Sequence, residues 1–266
     1  MAASGTITFD FHGKVAVVTG SSRHLGATIA RTLGACGAQV AVHYARQAEE
    51  ANRVVGEIRD AGGVAEAFQA DATDADALRR MAAAVLERFG RVDILVNNVG
   101  PYADLPFASM PEEVWDRVMD SCVKAAYLLT QSFAPGMRDR GWGRIVNISA
   151  GSAFIRTHSV YGLAKAAIIH LTESLAVELA PQIRVNAIAP GQIQDSEEID
   201  RIDPTYKTRL AEATPLRRLV TRAEIAQAVC LLSSDLFPSL TGHTLVLDGG
   251  WSIPVGRDTP VLGMNV

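Results

Sequence analysis

Cysteine is scarce in this chain. Only Cys36, Cys122 and Cys230 occur, odd in number and far apart. They offer neither a disulfide framework nor metal-ligand spacing, which fits a reducing compartment, and buried packing is the expected place of each. Long apolar runs are missing too. None approaches the roughly 20 residues that span a bilayer, so no membrane partner is expected. Positive charge is not in surplus: 25 lysines and arginines stand against 29 acids, a net charge of -4. That gives no reason to expect nucleic acid as a partner. Residues 1–13 contain Asp10 and lack the basic-then-apolar order of a secretory leader. They read as a short arm before the first strand, and the expected location is cytoplasmic. Repeats, low-complexity tracts and linkers are also lacking. A single domain over 1–266 is expected, long enough for a sizeable core.

What is present is alternation. Lys14–Thr19 is rich in β-branched residues and ends at Gly20, the pattern of a buried strand. Further strands are predicted over Gln39–His43, Val64–Gln69, Val92–Asn97, Arg144–Ser149, Ile183–Ala189 and His243–Leu247. Helices are predicted between them over Ala27–Gly37, Ala48–Ala61, Ala75–Phe89, Pro111–Met137, Ser159–Ala180 and Arg222–Ser234, with Pro135 and Gly136 as breakers of the fourth. This order predicts an α/β fold: a doubly wound, Rossmann-type parallel sheet of about seven strands with helices on both faces. Residues 192–219 are polar, with apolar Ile193, Ile199, Ile202, Tyr206 and Leu210. They read as a surface loop with a short helix or, more sharply, as a lid over a ligand.

In such a sheet the ligand sits at the carboxyl ends of the strands. The first end reads Thr19-Gly20-Ser21-Ser22-Arg23-His24-Leu25-Gly26. Glycine lets the backbone turn tightly and approach a phosphate, and the next helix offers unpaired N–H groups to an anion. A ligand-free strand-to-helix turn has the same composition. Tyr161 and Lys165, four apart on a predicted helix, share one face. Lowering a tyrosine pKa from near 10 to near 7 takes about 4 kcal/mol. One cation about 4 Å away supplies that at an effective dielectric near 20, before desolvation subtracts from it. A surface Tyr–Lys pair is the plainer reading.

Taken in order, these pieces resemble the short-chain dehydrogenase/reductase family. Residues 19–26 are similar to its TGxxxGxG loop, Asn97-Asn98-Val99-Gly100 to its NNAG turn, and Tyr161 to Lys165 to its YxxxK. Pro190-Gly191 and Asp248-Gly249-Gly250 also stand where the family has them. Within the family the chain resembles 3-oxoacyl-carrier-protein reductases, with pteridine-reductase-like features in the glycine loop. The resemblance implies hydride transfer from a nicotinamide to the carbonyl of a small molecule. Tyr161 would be the general acid, and Lys165 would lower its pKa and bind the nicotinamide ribose. The cofactor site implied is Gly20, Ser22, Arg23, His24, Leu25 and Gly26; Tyr44, Arg46, Asp71 and Ala72; Asn98 and Gly100; Tyr161 and Lys165; and Pro190, Gly191 and Ile193. Asp71 would contact the adenine, or else cap the next helix. A homodimer or homotetramer paired through the helices after strands four and five is implied as well.

The expected cofactor is NADP(H). An NAD site typically carries an acid roughly 20 residues past the glycines. Here the second strand ends His43-Tyr44-Ala45-Arg46, with no acid before Glu49. Arg46 and Arg23 read as partners of a 2′-phosphate, against the plainer reading of two solvated arginines.

Three residues depart from the family pattern. His24 replaces the middle glycine, where pteridine-reductase-like members carry a basic residue. Asp195 stands where many members have a threonine that contacts the nicotinamide amide, and Cys122 where most have an asparagine that supports a proton-relay water. The catalytic serine falls on Ala150 when counted along the strand and on Ile148 when counted back from Tyr161. Ser149 lies between and is the expected residue, with Ser152 the alternative. Strand alternation points Ser149 with Asn147 and opposite Ala150. His158 would face substrate, or else be a cap or surface residue. Two other functions fit the same motifs: a pteridine or enoyl-thioester reductase, and a non-catalytic NADP-binding regulatory protein, against which the intact Tyr161–Lys165 pair counts.

Overall fold

Runs of Val, Ile, Leu and Ala too short for helices form the seven strands: β1 Val15–Val18, β2 Gln39–Tyr44, β3 Val64–Gln69, β4 Ile94–Asn97, β5 Gly143–Ile148, β6 Ile183–Pro190 and β7 Thr244–Leu247. The computed structural model describes residues 8–155, 159–196, 203 and 205–253. Every strand pair is parallel, and the order is β3-β2-β1-β4-β5-β6-β7. Strand order reverses between β1 and β4, so the carboxyl ends of that pair open a crevice.

The helices are α1 His24–Ala35, α2 Ala48–Asp60, α3 Ala75–Phe89, α4 Glu112–Met119, α5 Ala125–Asp139, α6 Val160–Leu179, α7 Tyr206–Ala213 and α8 Arg222–Ser233. They divide between the faces by strand parity. Ala16 and Val18 of β1, Val40 and Val42 of β2, and Ile94 and Val96 of β4 pack against α1, α2 and α8. The alternate residues Val15, Val17, Ala41 and Leu95 pack against α3, α5 and α6. A third, smaller cluster of Ala103, Val118, Cys122, Val160 and Ala164 lies beside Tyr161.

The fourth predicted helix does not break at Pro135, which sits inside α5. The irregularity comes earlier. A π turn over Asp120–Lys124 joins α4 to α5, and the Ala125 N–H donates to the Asp120 carbonyl. Such a turn rotates the side chains it carries out of α-helical register, and Cys122 is one of them. In residues 192–219, Ile193 bridges Val220 and α7 supplies the short helix. Ile199, Ile202 and His158 lie outside the described residues.

Candidate active site

A groove of about 1030 Å³ crosses the carboxyl ends of β1 to β4. Its walls include Gly20, Ser22, Arg23, His24, Leu25 and Gly26 from the glycine loop. Tyr44 and Arg46 after β2, Asp71 and Ala72 after β3, and Asn98 and Gly100 after β4 complete that side. Glu113, Asp116, Arg117 and Asp120 of the α4 region form a wall that no motif announced. Tyr161, Lys165, Pro190, Gly191 and Ile193 lie outside these walls. The Gly191 N–H donates to the Leu247 carbonyl, and a Cβ on Gly191 would stand 2.8 Å from the Asp248 Cβ.

The loop is built to fit a phosphate-bearing ligand. Gly20 has φ +62°, and a Cβ on Gly26 would lie 2.2 Å from the Gly20 carbonyl oxygen. No side chain fits there, so the turn closes directly onto the start of α1, where N–H groups meet an anion. The surrounding bonds are neutral. Thr19 Oγ1 accepts from the N–H groups of Asn98 (2.8 Å) and Val99 (3.2 Å). Asn98 Nδ2 donates to the Thr19 carbonyl at 2.9 Å. His43, buried, accepts the Gly20 N–H on Nδ1 at 2.9 Å and donates from Nε2 to the Ala70 carbonyl at 3.0 Å. Burial pushes the His43 pKa down to about 4, so the ring is neutral and both contacts keep their roles. His43 is a loop-fixing residue that sequence reasoning passed over.

Arg23 and Arg46 are exposed at the rim. Asp71 accepts from the Thr73 N–H at 3.0 Å and the Thr73 hydroxyl at 2.8 Å. These bonds, with the Arg46 charge behind them, hold its carboxyl below the usual range. The cap of α3 is Asp74, which accepts from the Asp76 and Ala77 N–H groups, and not Asp71.

Tyr161 and Lys165 do share one face of α6. Ser159 fixes the start of that helix: its Oγ accepts the Gly162 N–H at 3.1 Å and donates to the Ala103 carbonyl at 3.1 Å. The Lys165 ammonium, however, donates to the Ile148 carbonyl at 2.7 Å and lies 5.4 Å from the centre of the Tyr161 ring. It reaches the groove wall at Gly100, where a Cβ would stand 2.8 Å from Nζ and 3.4 Å from Cys122 Sγ. The expected lowering of the tyrosine pKa is therefore not found. Burial, with Cys122 and Tyr102 alongside, pushes Tyr161 up, and burial pushes Lys165 down. Tyr161 is a phenol at neutral pH. Tyr102, exposed, meets it edge-on with ring centres 5.4 Å apart. Cys122 is buried; desolvation raises its thiol pKa, and Lys165 opposes the rise.

Ser149 requires a correction. It is buried, and its hydroxyl donates to the Lys165 backbone carbonyl at 2.8 Å. It points with Asn147, as strand parity requires. Asn147 likewise bonds α6, through Thr172 Oγ1 at 2.9 Å. The one O–H of Ser149 is thus turned into the core, toward α6. The Ser152 hydroxyl is buried and has no hydrogen-bond partner among the described residues. The Ser152 backbone packs against Gly162, next to Tyr161: a Cβ on that glycine would lie 3.0 Å from the Ser152 carbonyl oxygen. No group of three or more His, Cys, Asp or Glu among the described residues is placed to hold a metal.

Comparison with known proteins agrees with this geometry. Residues 20–252 match the family model described as Enoyl-(Acyl carrier protein) reductase. A 3-oxoacyl-[acyl-carrier-protein] reductase of Staphylococcus aureus is 38% identical over 240 residues, 89% of this chain and 97% of that protein. Among solved structures, a short-chain type dehydrogenase/reductase from Mycobacterium marinum superposes with a TM-score of 0.83 at 34% identity, covering 92% of this chain and 98% of that one. A gluconate 5-dehydrogenase from Burkholderia cenocepacia, solved with NADP and tartrate, gives 0.85 at 29% identity over 93% and 98%.

Proposed function

The chain belongs to the short-chain dehydrogenase/reductase family of oxidoreductases, and we propose that it is an NADPH-dependent reductase of a small-molecule ketone or 3-oxoacyl-type carbonyl. The observation that carries this reading is the meeting at Gly100. There Gly100, in the groove wall, lies against the Lys165 side chain, one turn of helix from the Tyr161 phenol. When bound, the nicotinamide would supply the hydride. The chain's own residues do the rest. The Gly20–Gly26 turn and the start of α1 hold the pyrophosphate. Arg46 and Arg23 would hold the 2′-phosphate by charge-assisted bonds. Tyr161, kept protonated by burial, gives its proton to the carbonyl oxygen as that oxygen gains charge. Lys165, anchored on Ile148 and packed against Gly100, would bind the nicotinamide ribose. Ser152, with a hydroxyl not otherwise engaged, polarises the carbonyl, a role that passes to it from Ser149.

In the same reading residues 192–219 form the lid of a single domain, and Tyr206 of α7 lies near enough to Tyr102 to raise its pKa. The protein works in the cytoplasm as a homodimer or homotetramer. The exposed Tyr127 of α5 and Val177 of α6, 83% exposed, support pairing through those helices. The test is NADPH oxidation, followed at its absorbance band, with ketones, 3-oxoacyl thioesters, enoyl thioesters and pterins. Turnover of ketones or 3-oxoacyl thioesters supports the proposal. Turnover of enoyl thioesters or pterins alone moves the substrate class. NADPH binding without any turnover would make the chain a non-catalytic binding protein.

A further inference from the structure

His24 carries an unusual backbone. Its φ is +51°, in the left-handed region that disfavours a residue with a Cβ. It stands where the family's loop pattern has its middle glycine, and it lines the groove. Such a conformation costs on the order of 1–3 kcal/mol and persists only where the surroundings over-determine it. A chain of contacts from outside the loop is in place to do so. Arg222, the first residue of α8, brings Nη2 to 3.3 Å from His24 Nδ1. A guanidinium only donates, so Nδ1 accepts. Arg222 is held in turn by Asp195, on the segment after β6. The Arg222 N–H donates to Asp195 Oδ1 at 3.1 Å, and its Nε lies 3.7 Å from Asp195 Oδ2. The Arg222 side chain is 16% exposed, so the contact with His24 is shielded from water.

We propose that Asp195, Arg222 and His24 form a strap that holds the glycine loop in its cofactor-binding shape. Arg222 is then a positioning residue: it acts through His24 and touches no part of the cofactor. The strap ties the loop to the segment after β6, and its role rests on reading the groove as a dinucleotide site. It sets the shape of the loop, and it neither reads the 2′-phosphate nor supplies charge to the pyrophosphate. Its loss therefore weakens NADPH and NADH by the same factor. Glycine at position 24 adopts positive φ unaided and needs no strap.

The test is a double-mutant cycle on cofactor affinity, with NADPH and NADH titrated by fluorescence. Wild type, Arg222→Gln, His24→Gly and the double variant are compared, and urea unfolding confirms that each is folded. Arg222→Gln is expected to weaken both cofactors about tenfold, the loss that roughly 1.4 kcal/mol of loop strain produces. In the His24→Gly background the same Arg222→Gln change is expected to cost no further affinity, so the double variant matches His24→Gly. An Arg222→Gln variant with unchanged affinity overturns the strap. A double variant that falls below His24→Gly by the factor Arg222→Gln costs in wild type also overturns it, by showing that Arg222 does not act through His24. A wild-type protein that binds neither nucleotide overturns the reading of the groove itself, an outcome distinct from both.

Discussion

The two halves of the site are held by different kinds of interaction. At the carboxyl ends of β1, β2 and β4, the glycine loop is fixed by neutral, backbone-centred bonds from Thr19, Asn98 and His43. At the end of β5 and on the helices beside it, side-chain direction decides. Lys165 is turned to Ile148, Ser149 is turned into α6, and Cys122 is carried in by a π turn. The first half is a matter of backbone shape, which glycine spacing encodes. The second depends on rotamers and strand parity, which a motif constrains only loosely. Substitutions in the first half should act on binding, and those in the second on turnover.

The largest effect belongs to Gly26→Ala. Its methyl group would meet the Gly20 carbonyl oxygen at 2.2 Å, a backbone atom that cannot move aside without opening the loop. Cofactor binding measured by fluorescence should be lost; near-wild-type affinity would show that the loop is looser than its contacts require. In the second half, Ser152→Ala should lower kcat on the order of 10²-fold, the typical cost of one lost oxyanion donor. Ser149→Ala should instead lower stability by about 1 kcal/mol, the net worth of one buried hydrogen bond, and change turnover little. Steady-state kinetics and urea unfolding of both variants decide, and the reverse ranking returns the role to Ser149. Arg46→Ala should weaken NADPH about tenfold, within the usual worth of a charge-assisted bond, and leave NADH nearly unchanged. Equal losses would make Arg46 structural.

The last test in the first half is a pH dependence of stability. His43 has a folded pKa of about 4, below its unfolded value near 6.5. The unfolded chain therefore binds the proton first, and stability falls as pH drops from about 6.5 toward 4. The fall attributable to His43 is up to about 3 kcal/mol. Urea unfolding between those pH values should show this slope in wild type and lack it in His43→Gln. An identical slope in the variant would assign it to other groups.

The strands, the glycine loop and the Tyr161–Lys165 face were legible because each is a local pattern: β-branched runs, glycine at a turn, a spacing of four. Strand parity also foretold that Ser149 points with Asn147. His43 was not legible as a support, because its partners Gly20 and Ala70 come from β1 and β3 and meet it only through the register of the sheet. The Asp195–Arg222–His24 contacts join residues 27 and 198 positions apart and carry no motif. Pro135 misled because α5 accommodates it, while the π turn that matters has no proline or glycine to mark it. The Lys165 ammonium could not be assigned to Ile148 from spacing alone, since a four-residue offset fixes the helix face and leaves the end of a long side chain undetermined.

The central claim is that a dinucleotide groove and the Tyr161 phenol act together as a carbonyl reductase. The most direct measurement is the loss of NADPH absorbance with a ketone or 3-oxoacyl thioester, in wild type and in Tyr161→Phe, alongside NADPH affinity for both. The phenylalanine keeps the ring and removes only the transferable proton. The expected result is a fall in kcat of about 10²–10⁴-fold, the range for a lost general acid, with NADPH affinity within about twofold of wild type. A variant that keeps more than about a tenth of wild-type turnover would contradict it and place the proton donor elsewhere.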